Sequence, residues 1–131
     1  MTWNLTDEEF EAVSALPSGK RLEYAVKKIA DSEYAWTLAD DADNPVLGDD
    51  GEGHRVMPFW PHKRFAEACR RGAWSGYAPM GVHVEDVLDA LLPDAREQAV
   101  LVSVFPVPDG RAATVSVDEF TAALEAELAR Y

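Results

Sequence analysis

Cysteine is nearly absent from this chain: Cys69 is the only one in 131 residues. No intramolecular disulfide is possible, which excludes a stapled extracellular scaffold. Cations are also scarce. Twelve Lys and Arg stand against 24 Asp and Glu, giving a net charge of −12 and a pI near 4.5. That balance argues against nucleic acid or an anionic membrane as partner, because neutralising phosphate takes a surplus of Lys and Arg. No apolar run approaches the roughly 20 residues that cross a bilayer. The opening MTWNLTDEEF has neither the basic stretch nor the apolar stretch of an export signal, so the expected location is the cytoplasm. Glycine-rich phosphate loops are missing as well: neither GxGxxG nor GxxxxGK followed by Ser or Thr occurs. Nor is there a Gly-x-Ser-x-Gly nucleophile elbow. Together these absences lead us to expect a non-enzymatic protein without a cofactor.

What is present fits a single folded domain over residues 1–131. The chain is 47% hydrophobic and 27% charged, a globular balance rather than a disordered one. Thr6-Asp7-Glu8-Glu9 reads as a capping box opening a helix that Pro17 ends, with residues 1–17 as a peripheral N-terminal element. Ser18 is placed to cap a second helix, in which Leu22, Ala25, Val26, Ile29 and Ala30 follow helical spacing and Arg21 lies off the stripe. Tyr34, Trp36 and Leu38 alternate as in a strand. Acidic turns at residues 40–44 and 49–53 then divide short strands into an antiparallel meander. Pro58 assigns its strand an edge position or a bulge.

Pro61 opens a third helix with Gly72 as its stop, and a helix after residue 83 ends at Pro93. Residues 99–105 form a nearly continuous apolar run, read as a central strand covered on both faces. Residues 106–110 turn it into a hairpin partner. Ser116 to Glu119 is a second capping box, opening a helix lined by Phe120, Leu124, Leu128 and Tyr131. The expected order is α-α-β-β-β-α-β-α-β-β-α: an α+β fold with helices packed on one mixed or antiparallel sheet.

Five segments carry a resemblance. They are Glu23-Tyr24 through Trp36, Pro58-Phe59-Trp60-Pro61-His62, Trp74-Ser75-Gly76-Tyr77, residues 86–92, and Val102-Ser103-Val104-Phe105-Pro106 with Pro108-Asp109-Gly110. In order and spacing they resemble the bacterial family known as domain of unknown function 2750, from about Lys20 onward. The resemblance implies a bacterial cytoplasmic setting and supports the domain boundaries. It implies no activity, cofactor or catalytic residue.

The charge is unevenly spread. Residues 55–77 hold five of the twelve cations and one acid, Glu67, for +4, which leaves −16 for the rest. The same stretch is rich in rings, and aromatic residues with Arg are the usual composition of a contact surface. The candidate binding patch is Trp60, His62, Arg64, Arg70, Arg71, Trp74 and Tyr77. Against it stands the plain reading, in which the rings are core and the arginines one solvated helix face. A Cys69–His62 nucleophile pair would need an orienting carboxylate that nothing in the sequence places. Cys69 also falls on an apolar stripe, where cysteine acts as a small hydrophobe. His54, His62 and His83 share no metal-ligand spacing, and the acidic turns lack the twelve-residue calcium loop, so no metal is expected.

The leading expectation is an acidic protein-recognition module, a regulator or neutraliser of a basic partner such as a toxin domain. Acidic surplus speeds encounter with cations. The alternative is an anionic-ligand or hydrolytic pocket between the Trp60–His62 corner and the Trp74–Tyr77 loop. A homo-oligomer built on exposed aromatics is the third.

Overall fold

The structure is a computed structural model that describes residues 4–108 and 112–130. Its elements are α1 (Asp7–Ser14), α2 (Ser18–Ser32), β1 (Tyr34–Ala39), β2 (Gly48–Asp49), β3 (Arg55–Phe59), α3 (Lys63–Ala68), a 3₁₀ turn (Gly72–Trp74) and β4 (Ala78–His83). After these come α4 (Val84–Asp86), a π-helical turn (Val87–Leu91), α5 (Leu92–Glu97), β5 (Leu101–Val104), β6 (Ala113–Val115) and α6 (Val117–Leu128). Counting α4 to α5 as one helix, this is the order read from the sequence, and the class is α+β. Asp109, Gly110 and Tyr131, assigned above to a turn and to the last helix, lie outside the described residues.

The single sheet expected from the sequence is instead two. β1 pairs with β4 alone, antiparallel, while β2-β3-β5-β6 form a four-stranded mixed sheet in which β3 and β5 run parallel. Pro58 is the reason. Trp36 and Trp60 exchange backbone hydrogen bonds at 2.8 and 2.7 Å, tying β1 to the end of β3. Continuing that ladder would require an N–H from Pro58, which proline does not have. The Pro58 carbonyl instead accepts from Thr37 Oγ1 at 2.7 Å, and the Leu38 carbonyl accepts from the Val46 N–H at 2.8 Å. The expected meander therefore survives only as the β2–β3 hairpin. The ladder stops at Pro58 on that side of β3, but β3 lies between β2 and β5 and is not the edge strand that the proline suggested.

Strand alternation gives the four-stranded sheet two different faces. Met57, Phe59, Val102 and Val104 are buried on one, beneath the helices, and Phe59 stacks on Phe120 of α6 with ring centroids 5.6 Å apart. α2 contributes Ala25, Val26, Ile29 and Ala30 to the core. Its start has no side-chain cap, because Pro17 and not Ser18 occupies the N-cap. α6 carries the full capping box, with Ser116 and Glu119 each accepting from the other's backbone N–H at 3.0 and 3.1 Å.

α1 docks on this body through a Phe10–Phe65 stack at 5.1 Å and a Tyr24 hydroxyl donating to Glu9 at 2.5 Å. Burial and the Glu9 carboxylate together push the Tyr24 phenol far above its ordinary range. Pro93 does not end its helix as expected. The π turn just before it widens the ladder, so that the Leu92 N–H reaches Val87 O and the helix continues to Glu97.

Arg21, expected off the apolar stripe, is only 4% exposed. Its guanidinium donates to Leu16 O and, from Nε at 3.1 Å, to Phe105 O. Phe105 sits at φ 59°, an uncommon and strained conformation for a bulky residue. Its N–H donates to Phe59 O at 2.8 Å. The bend aims the next carbonyl, Pro106 O, at two donors: Trp60 Nε1 at 2.8 Å and Cys69 Sγ at 3.3 Å. Buried hydrogen bonds thus hold the strain where β5 leaves the sheet.

Candidate functional site

The second face of the four-stranded sheet holds a cleft that no α-helix among the described residues lines, and only Trp74 of the 3₁₀ turn reaches over it from a helical element. Val56 of β3, Leu101 and Ser103 of β5 and Thr114 of β6 form the floor of the cleft, about 700 Å³ in volume. The sequence reading, which covered β5 on both faces, is corrected here: Val102 and Val104 are sealed, whereas Leu101 and Ser103 line open space. Trp74 and Pro106 wall one side, and Asp49, Asp50, Glu52 and His54 on the β2–β3 turn form the rim.

Trp74 reaches this position because β2 has glycine beneath it. A Cβ built on Gly48 would lie 2.8 Å from Trp74 Cζ2, so any side chain there would displace the indole. Trp74 also meets Trp60 edge to face at 6.1 Å.

The cleft is acidic. Three carboxylates line it, and no Lys or Arg is among its described lining residues. Asp50 is well anchored: Oδ1 accepts from the Glu52 and His54 N–H groups at 2.7 and 3.1 Å, and Oδ2 lies 2.8 Å from His54 Nδ1. Burial resists its ionisation, but these donors outweigh burial and hold the carboxyl below the usual range. Asp49 Oδ1 accepts from the Gly51 N–H at 2.6 Å. Ser103 is 7% exposed as a residue, and its hydroxyl, which makes no hydrogen bond to any described residue, keeps the exposed part and opens on the cleft.

The ligand atoms of Asp50, Glu52 and His54 lie within 4.8 Å of one another. Alternate residues on one tight turn produce such a grouping without any ion, and Asp50 is already committed to its own loop. The set therefore carries no metal assignment.

Members of the seven-residue patch lie near one another, Trp60 against Trp74 and Arg70 on the Tyr77 carbonyl, but they differ in what they leave available for contact. Trp60 is fully buried and unavailable for contact. His62 caps α3 by accepting the Arg64 N–H at 3.1 Å. Arg64 is spent within the molecule: it pairs with Asp7 at 2.8 Å, donates to Leu5 O at 3.2 Å and lies over the Phe10 ring. Arg70 donates to the Tyr77 carbonyl at 2.6 Å and fixes the 70–77 loop, with Tyr77 half-buried.

Arg71 and Trp74 remain. Arg71 is exposed, forms no ion pair among the described residues, and lines a second hollow of about 370 Å³ with Trp74, Pro106 and Cys69. Trp74 and Pro106 line both hollows and so form the partition between an acidic side and an Arg71 side.

His62 and Cys69 cap opposite ends of α3, about 10 Å apart at helical rise. Burial pushes the Cys69 thiol up to about 11, against the opposing pull of Trp60, Arg71 and Arg21. It is a protonated, inward thiol rather than an activated nucleophile.

Reasoning on the sequence alone placed the candidate patch beside the cleft and read the cleft's acidic rim as a solvated turn. One signal was present: Ser103 is the only polar residue in the run 99–105. Its position marks the face of β5 that is not packed into the core.

A family model described as "Protein of unknown function (DUF2750)" matches residues 22–124, which include every residue of the cleft floor and rim. A comparison with curated proteins gives no match.

Proposed function

Because the chain belongs to the DUF2750 family, whose description assigns no activity, we propose its function from the cleft: it is an acidic recognition module that receives a basic segment of a partner protein. The observation that carries this reading is the open sheet face, with three carboxylates at its rim and no described Lys or Arg along it. The net charge of −12 extends the same field over the molecule and speeds encounter with a cation. A regulator or a neutraliser of a basic toxin domain would use such a surface. We place the encounter in the bacterial cytoplasm, where a lone buried thiol stays reduced. No helix among the described residues is long and apolar enough to cross a membrane.

A second reading is favoured by Arg71, which faces the smaller hollow without an ion pair among the described residues and suits an anionic ligand. The hydrolytic form of that reading lacks a nucleophile, given the state of Cys69.

Isothermal titration with a basic nonapeptide at several salt concentrations tests the first reading. Binding is expected to weaken as salt rises. The triple variant Asp49→Asn, Asp50→Asn, Glu52→Gln should lose about tenfold or more in affinity, as several exposed charge pairs together would give. Equal affinity of wild type and triple variant would overturn the reading. Loss of binding on Arg71→Ala with an anionic probe would favour the second.

A further inference from the structure

Resting on the recognition reading above, we infer that the side chain this cleft selects is arginine, taken as a planar guanidinium in preference to the ammonium of lysine. Three observations converge on it. The first is Ser103 of the cleft floor, whose hydroxyl makes no hydrogen bond among the described residues and, not being sealed in, opens on the cleft. The Thr37 hydroxyl, by contrast, spends its hydrogen on Pro58 O. A hydroxyl that opens on the cleft can donate a hydrogen bond to a ligand there or accept one from it.

The second observation is the Trp74 indole, whose edge rests against Gly48. Gly48 pairs with Val56, and Val56 pairs with Leu101. The ring is therefore level with the Val56–Leu101 part of the floor, two residues or about 7 Å along β5 from Ser103. The third is the acidic rim, which begins one residue beyond Gly48 at Asp49.

A cation lying against the indole thus has a hydroxyl on one side and carboxylates on the other. A guanidinium meets that arrangement: it stacks flat on an aromatic ring and presents five N–H groups around its own plane. The apolar floor also favours the more weakly hydrated of the two cations. Lysine, a compact and strongly hydrated charge, would gain less from the ring and the hydroxyl than a planar guanidinium does.

Two fluorescein-labelled nonapeptides, identical except that every cation is Arg in one and Lys in the other, test this by anisotropy at low salt. The Arg peptide is expected to bind about tenfold more tightly. Ser103→Ala and Trp74→Phe should each remove a factor of about three to ten from the Arg peptide and a clearly smaller factor from the Lys peptide. Melting curves establish that each variant is folded, and Ser103→Ala decides the matter if Trp74→Phe is not.

Equal affinity of wild type for both peptides would overturn the arginine assignment and leave the recognition reading standing, as would an equal loss for both in the two variants. Binding of neither peptide would overturn both. Sedimentation showing a dimer disrupted by the rim variants would then give the face to a second copy of the chain.

Discussion

The two faces of the four-stranded sheet are built from alternate residues of the same strands, yet they are used in opposite ways. On the helix face, Phe59, Val102 and Val104 are sealed, and Phe59 stacks on Phe120. On the other, Leu101, Ser103 and Thr114 line a cleft rimmed by carboxylates. The first face spends its groups on stability. The second keeps a hydroxyl that makes no hydrogen bond among the described residues, beside a half-buried indole that packs on Trp60 and still lines the cleft. The contrast between Thr37 and Ser103, both buried, shows this most directly: the Thr37 hydroxyl satisfies the Pro58 carbonyl, and the Ser103 hydroxyl satisfies nothing described.

If the faces differ in this way, substitutions on them should separate by size. The largest effect is expected for Phe120→Ala, which leaves a cavity against Phe59 and should cost about 3–5 kcal/mol in urea unfolding. A cost below about 1 kcal/mol would show that the helix face is not the stabilising one. Thr37→Val comes next. It keeps the shape but leaves the Pro58 carbonyl without its donor, and should cost about 1–3 kcal/mol by the same measurement. Ser103→Ala is the smallest, within about 0.5 kcal/mol of wild type, because no hydrogen bond is lost. A cost matching that of Thr37→Val would mean that the hydroxyl is structural and would remove the distinction between the faces.

Acid sharpens the comparison at the rim. The Asp50 carboxyl titrates below its ordinary value in the folded chain, so its contribution to stability is present above about pH 4 and is lost as pH falls through the depressed value. The stability gap between wild type and Asp50→Asn should therefore be open at pH 7 and close at the acid end of a pH series of thermal melts. A gap that stays constant down to pH 2 would show that the ionised carboxylate does nothing for the turn.

Much of the fold was legible in the sequence because it rests on local rules. The Ser116–Glu119 capping box, the Ala25, Val26, Ile29, Ala30 stripe and the strand alternation around Trp36 are all short-range patterns. Pro58 was read as an obstacle to a ladder and is one, but which ladder it blocks depends on where β1 arrives. Pro93 was read as a stop, and a π turn, which periodicity cannot reveal, carries the helix past it. What each member of the candidate patch touches was not legible for a related reason: Trp60 and Arg64 bond Pro106, Asp7 and Leu5, groups 46, 57 and 59 residues away. Trp74 and Arg71 are the patch members that line the two hollows.

The sequence by itself determined the class, the order of the elements and the acidic field, since these follow from composition and from neighbours within a few residues. Tertiary structure alone decided that there are two sheets, that one face of the larger lines a cleft, and that Ser103, Trp74 and the 49–54 turn meet across it. Those outcomes depend on which distant backbone donors and side chains find one another, and chain-local pattern carries no record of contacts made across 40 or more residues.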